Sequence, residues 1–341
     1  MGLLLFNVKR VMGTVRFWIG NSRSKALPQS VLPAILALCM ASQKEGFSVW
    51  LGLLGVFGVV VGHLGMNLFD DYFDYKVKKT DYRNQMQHKG MRARILKCAY
   101  LTSGATTLQR LLVACFVFGA VALAAGFVIF LYRGYVVLLI AALTALLGVS
   151  YSGAPIRLSY HGLGEILIGI MFGPMLMTGV YYAACGVFDR SVLFVSVPVG
   201  LLVANIVYTH AIMDYEPDKE VGKMTFAVLL KDKKRMLFCL LLLLVAAYGV
   251  TVSGVIWGYL SPYCLLSLLT LPMAISLYRL MTEFVRNPER RFSPRFWMGP
   301  MGNWPRTQSF GLDWFMIRWM LARNLLSFFC IIMMVILVVS G

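Results

Sequence analysis

Three carboxylates crowd the stretch NLFDDYFDYK at residues 67–76: Asp70, Asp71 and Asp74. A second acidic stretch, THAIMDYEPDKEVGKMTF at 209–226, sets Asp214 and Asp218 one turn apart, with His210 a turn before them. At the helical period His63, Asn67, Asp70, Asp71 and Asp74 share one face, as do His210, Asp214 and Asp218. Carboxylates that face one cavity repel one another unless cations lie between them. Hard divalent ions such as Mg2+ take oxygen donors of this kind and keep positions open for substrate phosphates. The expected metal ligands are therefore Asp70, Asp71, Asp74, Asp214 and Asp218. Lys76, Lys219 and Lys223 follow the acids closely and suit the outer oxygens of a diphosphate.

The elements that must carry these residues are membrane-grade helices. Of 341 residues, 59% are hydrophobic and 14% charged, against roughly 25% charged in an ordinary soluble domain. Apolar windows long enough to cross about 30 Å of hydrocarbon recur along the chain. Nine are expected, near 27–42, 47–70, 105–131, 134–151, 163–184, 191–213, 236–257, 262–284 and 315–340. The early run GLLLF is too short, and too soon followed by basic residues, to read as a cleaved signal. The expectation is an all-α, polytopic membrane protein forming one domain over residues 1–341, with 1–25 as a cytoplasmic N-terminal segment.

The net charge of +17 raises the question of a nucleic-acid partner. With nine alternating spans, every Lys and Arg except Lys44, Arg133 and Arg190 falls on the side of the N-terminus. That asymmetry is the positive-inside pattern, so the basicity reports topology and argues against nucleic acid. It also puts both acidic clusters at the cytoplasmic ends of the second and sixth spans. The seven cysteines show no CxxC spacing, and most lie in apolar spans as small apolar residues.

Polar groups in spanning helices are costly, so two matched acidic helix ends need a reason. A site that binds a diphosphate at the membrane surface, for a molecule whose remainder belongs in lipid, implies a prenyl diphosphate substrate. Arg157 is placed to reach it or to serve only the positive-inside pattern, and Arg83, Arg92 and Arg94 lie on a loop that caps the cavity or contacts solvent and lipid headgroups. A cation-coupled transporter is the rival reading, but it calls for carboxylates near the bilayer midplane rather than at helix ends. A non-catalytic assembly factor gives no reason for the matched aspartates.

These residues resemble the UbiA superfamily of intramembrane prenyltransferases, whose two aspartate-rich motifs lie on helices two and six of a nine-helix bundle. RSKALPQSVLP (23–33), YSGAPIRLSYHGLGE (151–165) and FGPMLMTGVYY (172–182) are similar to the branch that prenylates 1,4-dihydroxy-2-naphthoate in menaquinone synthesis. The resemblance covers roughly residues 20–230. It implies that Asp71, Asp74, Asp214 and Asp218 hold two Mg2+ ions that clamp a prenyl diphosphate, with Asn67 and Lys223 in matching positions. It further implies alkylation of an aromatic acceptor, with loss of carbon dioxide in the naphthoate case. This chain departs from the family pattern at three points: Asp70 replaces an asparagine, Val77-Lys78-Lys79-Thr80 delays the next acid to Asp81, and His210-Ala211-Ile212-Met213-Asp214 stands where the branch has N-N-x-R-D. The last departure leaves 4-hydroxybenzoate or another small aromatic open as an acceptor. His210 is placed to bond or deprotonate an acceptor hydroxyl, or to bond a neighbouring helix.

Two further features are architectural. GVVVG (58–62) and GIMFG (169–173) are small-residue faces that let helices approach. Residues 286–313 mix arginine, aromatic residues and proline, as expected of a loop held at the headgroup level.

Overall fold

The computed structural model describes residues 2–76, 98–220 and 222–339, with side chains from Met12 onward. Helix α1 (Gly2–Asn21) precedes the bundle, and Arg23 turns the chain through a left-handed conformation (φ 56°). Then follow α2 (Pro28–Ala41), α3 (Val49–Lys76), α4 (Leu108–Arg133), α5 (Tyr135–Ser152) and α6 (Gly164–Cys185). The bundle ends with α7 (Ser191–Met213), α8 (Lys233–Ile256), α9 (Pro262–Arg286) and α10 (Asp313–Val339). No strand occurs among the described residues; one isolated bridge joins His161 to Met224.

Among the described residues eight helices, α3 to α10, are long and apolar enough to cross a membrane. The first expected span is the shorter α2, whose 14 residues reach about 21 Å at 1.5 Å per residue. Local signals set several boundaries. Thr107 accepts from the Arg110 N–H at the start of α4, and Asp232 does the same for Arg235 at the start of α8. Gly134 and Gly186 end α4 and α6 at positive φ, where a side chain would be strained.

The most enclosed helix is α7, which packs against α2, α6, α8 and α10. Its crossing with α6 depends on glycine. A Cβ at Gly173 would lie 2.4 Å from Gly200 Cα and 2.5 Å from Ser196 O, so the backbones touch directly. Gly58 and Gly62 of α3 in turn face Ala125 and Ala122 of α4.

The two ends of the bundle differ in charge. At one end, Lys44 pairs with Asp189, and Arg133 donates to the carbonyls of Gly46 and Ala183, both at 2.9 Å. Arg190 reaches Tyr259 Oη there at 3.4 Å. These are the three basic residues that the charge pattern set apart. The acidic clusters lie at the other end.

The chain between α9 and α10 does not stay at the helix ends. Trp297 Nε1 donates to Ser276 Oγ at 3.1 Å, and Asn324 Nδ2 donates to the carbonyls of Met298 and Pro300, both at 2.9 Å. Ser276 and Asn324 lie ten and eleven residues from the ends of α9 and α10, about 15 Å along each axis. Residues 297–300 thus fold back between the two helices. The reason is local: one asparagine amide satisfies two carbonyls, and Met298 and Met301 are buried.

Candidate active site

The α3 register puts Asp71 and Asp74 inward, each 3% exposed, and the chain just past α7, with the short helix Tyr215–Glu220, does the same for Asp214 and Asp218, each 4% exposed. Burying carboxylates is costly unless they are bonded, and the α3 pair shows how the cost is met. Arg23 donates to Asp70 Oδ2 at 2.8 Å and pairs with Asp71 as well. Ser152, the last residue of α5, donates to Asp70 Oδ1 at 2.5 Å. Tyr100 donates to Asp71 Oδ2 at 3.1 Å, and Tyr160 to Asp74 Oδ1 at 2.5 Å. On α7, His210 Nε2 lies 3.1 Å from Asp214 Oδ2. The Lys223 N–H closes the loop after Asp218 by donating to the Asp218 carbonyl at 2.8 Å.

Two groups outside the spans are tuned by this acidity. Burial opposes the charge on Arg23, but the fields of Asp71 and Asp70 outweigh it and hold the guanidinium well above its ordinary pKa. Burial, and then the charge of Asp71, push the Tyr100 hydroxyl upward, so it remains a donor.

The two acidic helix ends face one cleft of about 90 Å³, lined by Asp70, Asp214, Asp218, Arg23, His210 and Lys223. Beneath it opens a chamber of about 1280 Å³ that shares Arg23, Asp70 and His210 with the cleft. Its walls are mostly apolar: glycines and alanines of α3 and α4, aliphatic residues of α5 and α6, and Phe315, Met316 and Trp319 of α10. His63 lines it and is held by Ser30 Oγ at 2.7 Å, edge-on to Phe172.

The structure sorts the residues expected from sequence. Asp70, Asp214, Asp218, His210 and Lys223 line the cleft, and Asn67 lines the chamber while donating to Ser22 O at 3.0 Å. Asp71 and Asp74 are buried beside them. Lys76 and Lys219 lie over Tyr72 and Tyr215, exposed and outside both linings. Arg157, at φ 45°, is also outside both. Arg83, Arg92 and Arg94 fall outside the described residues. Sequence reasoning gave no role to Arg23, Tyr100, Ser152, Tyr160 or Glu165. Arg23 and Glu165 did sit in quoted motifs, RSKALP and GLGE. Glu165, 5% exposed, accepts from the Phe226 N–H at 3.2 Å and so ties α6 to the loop that carries Lys223.

Among the described residues no three His, Cys, Asp or Glu side chains stand close enough together to hold an ion unaided. The donor set nonetheless fits Mg2+, an oxygen-seeking ion bound through one or two carboxylates plus substrate phosphates rather than by an all-protein cage. Asp70, Asp214 and Asp218 offer such oxygens to one cleft.

Comparison with known proteins gives a consistent result. The profile of the UbiA prenyltransferase family matches residues 30–299. The 1,4-dihydroxy-2-naphthoate octaprenyltransferase of Bacillus subtilis is 24% identical over 289 residues, 82% of this chain and 85% of that one. The 2-carboxy-1,4-naphthoquinone phytyltransferase of Synechocystis is 32% identical over 164 residues, 48% of this chain and 53% of that protein. A solved UbiA homologue from Archaeoglobus fulgidus, bound to GPP and Mg2+, superposes with a TM-score of 0.56 at 16% identity. That match covers 93% of this chain and 99% of the homologue.

Proposed function

The chain belongs to the UbiA prenyltransferase family, and from that premise we propose that it transfers a polyprenyl group from an allylic prenyl diphosphate to 1,4-dihydroxy-2-naphthoate, using Mg2+. The observation that carries this reading is the continuity of the acidic cleft with the apolar chamber, through Arg23, Asp70 and His210. A diphosphate fits the head of that space and its hydrocarbon tail fits the walls.

Asp70, Asp71 and Asp74 on one side, and Asp214 and Asp218 on the other, would hold two Mg2+ ions. The metal supplies neutralisation of charge on the departing diphosphate. Lys223 adds a cation at the cleft, and Arg23 fixes the first carboxylate pair. The bond between the allylic carbon and the diphosphate oxygen breaks, and an electron pair of the ring forms the new carbon–carbon bond. The carboxylate of the naphthoate leaves as carbon dioxide, and its electron pair restores the aromatic ring. His210, held by Asp214 and facing the chamber, takes the acceptor's hydroxyl as a hydrogen-bond partner.

The second reading keeps this chemistry with 4-hydroxybenzoate as acceptor. It is favoured by Ala211 and Met213, which are buried and apolar where the naphthoate branch carries polar residues. A transporter reading fits less well, because the carboxylates gather at helix ends. The site faces the cytoplasm of a multi-pass protein in the cell membrane. Incubation of the full chain in nanodiscs with prenyl diphosphate, Mg2+ and each acceptor, read by mass spectrometry, tests the proposal. Absence of any prenylated product overturns it.

A further inference from the structure

The chamber is lined by three cationic side chains: Arg23, Lys25 and Arg306. The first is committed to Asp70 and Asp71. Arg306 comes from the segment between α9 and α10, to which neither the sequence motifs nor the proposed chemistry assigns a role. That segment is anchored at its start and then runs exposed along the edge of the chamber, Arg306 and Phe310 included. Asn324 and Ser276 anchor it at Met298, Pro300 and Trp297, and Met301 is buried just before the chain reaches the chamber. Asn303 then caps the short helix Trp304–Ser309 by accepting from the Arg306 N–H at 3.1 Å. The Leu312 N–H donates to Thr307 O at 3.1 Å. One turn later Phe315 lies edge-on to His210, with ring centroids 5.2 Å apart. Arg306 and His210 thus line one chamber, and the Arg306 guanidinium stands over the Phe310 ring, 5.7 Å from the centroid. Among the described residues no acid pairs with it.

An exposed guanidinium at the edge of an apolar chamber, beside an aromatic ring and with no acid partner among the described residues, suits an anionic aromatic molecule. Its planar fork matches a carboxylate through two parallel bonds, and Phe310 and Phe315 offer ring faces and edges nearby. We propose that the wall formed by residues 299–310 recognises the acceptor, and that Arg306 binds the acceptor's ring carboxylate. The inference rests on the proposed acceptor class, and it holds for either hydroxy-aromatic acid. It makes Arg306 a specificity-determining residue and Asn324 a positioning residue for it.

The test is direct binding, independent of turnover. The full chain in nanodiscs of zwitterionic lipid is titrated with 1-hydroxy-2-naphthoate and with 1-naphthol, which lacks the carboxylate, and tryptophan fluorescence is followed. The expected result is that R306Q weakens binding of the acid by about 10- to 100-fold, leaves 1-naphthol unchanged, and is partly rescued by R306K. Equal binding of the acid by R306Q and the parent overturns the inference, as does a parent that fails to prefer the acid. Loss of acid binding in K25Q but not R306Q also overturns it, by moving the role to Lys25. An R306Q defect that shows only as weaker association with anionic vesicles overturns it in favour of a headgroup phosphate. Failure to turn over prenyl diphosphate, with Arg306-dependent binding intact, strikes the proposed function and leaves this inference standing.

Discussion

Arg23 and Asp70, 47 residues apart in sequence, are joined at 2.8 Å, and the same guanidinium also pairs with Asp71. The turn before the first helix of the bundle therefore organises the first acidic motif. A guanidinium can bridge two carboxylates and an ammonium cannot match that geometry. Arg23→Gln is expected to lower kcat/KM for the prenyl diphosphate by about 10- to 100-fold, the range for losing charge-assisted bonds. Arg23→Lys restores only part. Kinetics of both variants at saturating Mg2+ provide the check, and parental activity in Arg23→Gln would remove the residue from the site.

The two acidic helix ends are expected to act as one unit. Asp71→Asn and Asp214→Asn each lower kcat by about 10²- to 10³-fold, the scale on which electrostatic stabilisation of a leaving group operates. Chelation by EDTA abolishes transfer, and added Mg2+ restores it. Asp70→Asn is expected to act mainly on the metal, raising the Mg2+ concentration for half-maximal rate. It removes charge from a group that Ser152 and Arg23 still hold in place. Mg2+ titrations of the three variants, with melting curves to show retained folding, separate these effects.

Glu165 is expected to matter without touching substrate. Its carboxylate accepts the Phe226 N–H just after Lys223 and Thr225. Glu165→Ala leaves that buried donor unpaired, at a cost of about 1–3 kcal/mol. The expected outcome is a KM for the diphosphate raised about 10-fold, the shift equivalent to 1.4 kcal/mol, with KM for the acceptor unchanged. Glu165→Gln, which keeps a carbonyl oxygen in place, recovers most of the loss. A fall in kcat with both KM values unchanged would contradict a positioning role.

Much of this architecture was legible because membrane spans and acidic residues inside them are strong signals. Asp71, Asp74, Asp214 and Asp218 stood out as carboxylates on helices with almost no other charge. Their partners did not. Tyr100, Tyr160 and Ser152 are ordinary residue types at ordinary places, and only the folded chain brings them to the aspartates. Charge was a poorer guide to the diphosphate cations: Lys76 and Lys219 have the right type and spacing but point outward over tyrosine rings. The segment after α9 read as an interfacial loop because its arginines and aromatic residues dominate its composition. Its fold-back rests instead on Asn324 and Ser276, single polar residues within long helices.

The path of the prenyl tail gives the last prediction. On α4, Cys115, Gly119, Ala122, Gly126 and Ile129 recur at helical spacing and all line the chamber. A Cβ built on Gly119 or Gly126 meets nothing within 4 Å, so the first carbon of a side chain there has open space. At Gly173, by contrast, a Cβ collides with the backbone of α7. Gly119→Leu and Gly126→Leu are therefore expected to fold normally and to fill chamber volume that a long tail needs. Each leucine takes the space of several methylenes, so the longest prenyl diphosphates lose rate while a ten-carbon donor keeps it. Competition between a ten-carbon and a forty-carbon donor, with products resolved by mass, reads the shift. Unchanged preference in both variants would mean that the tail does not run along α4.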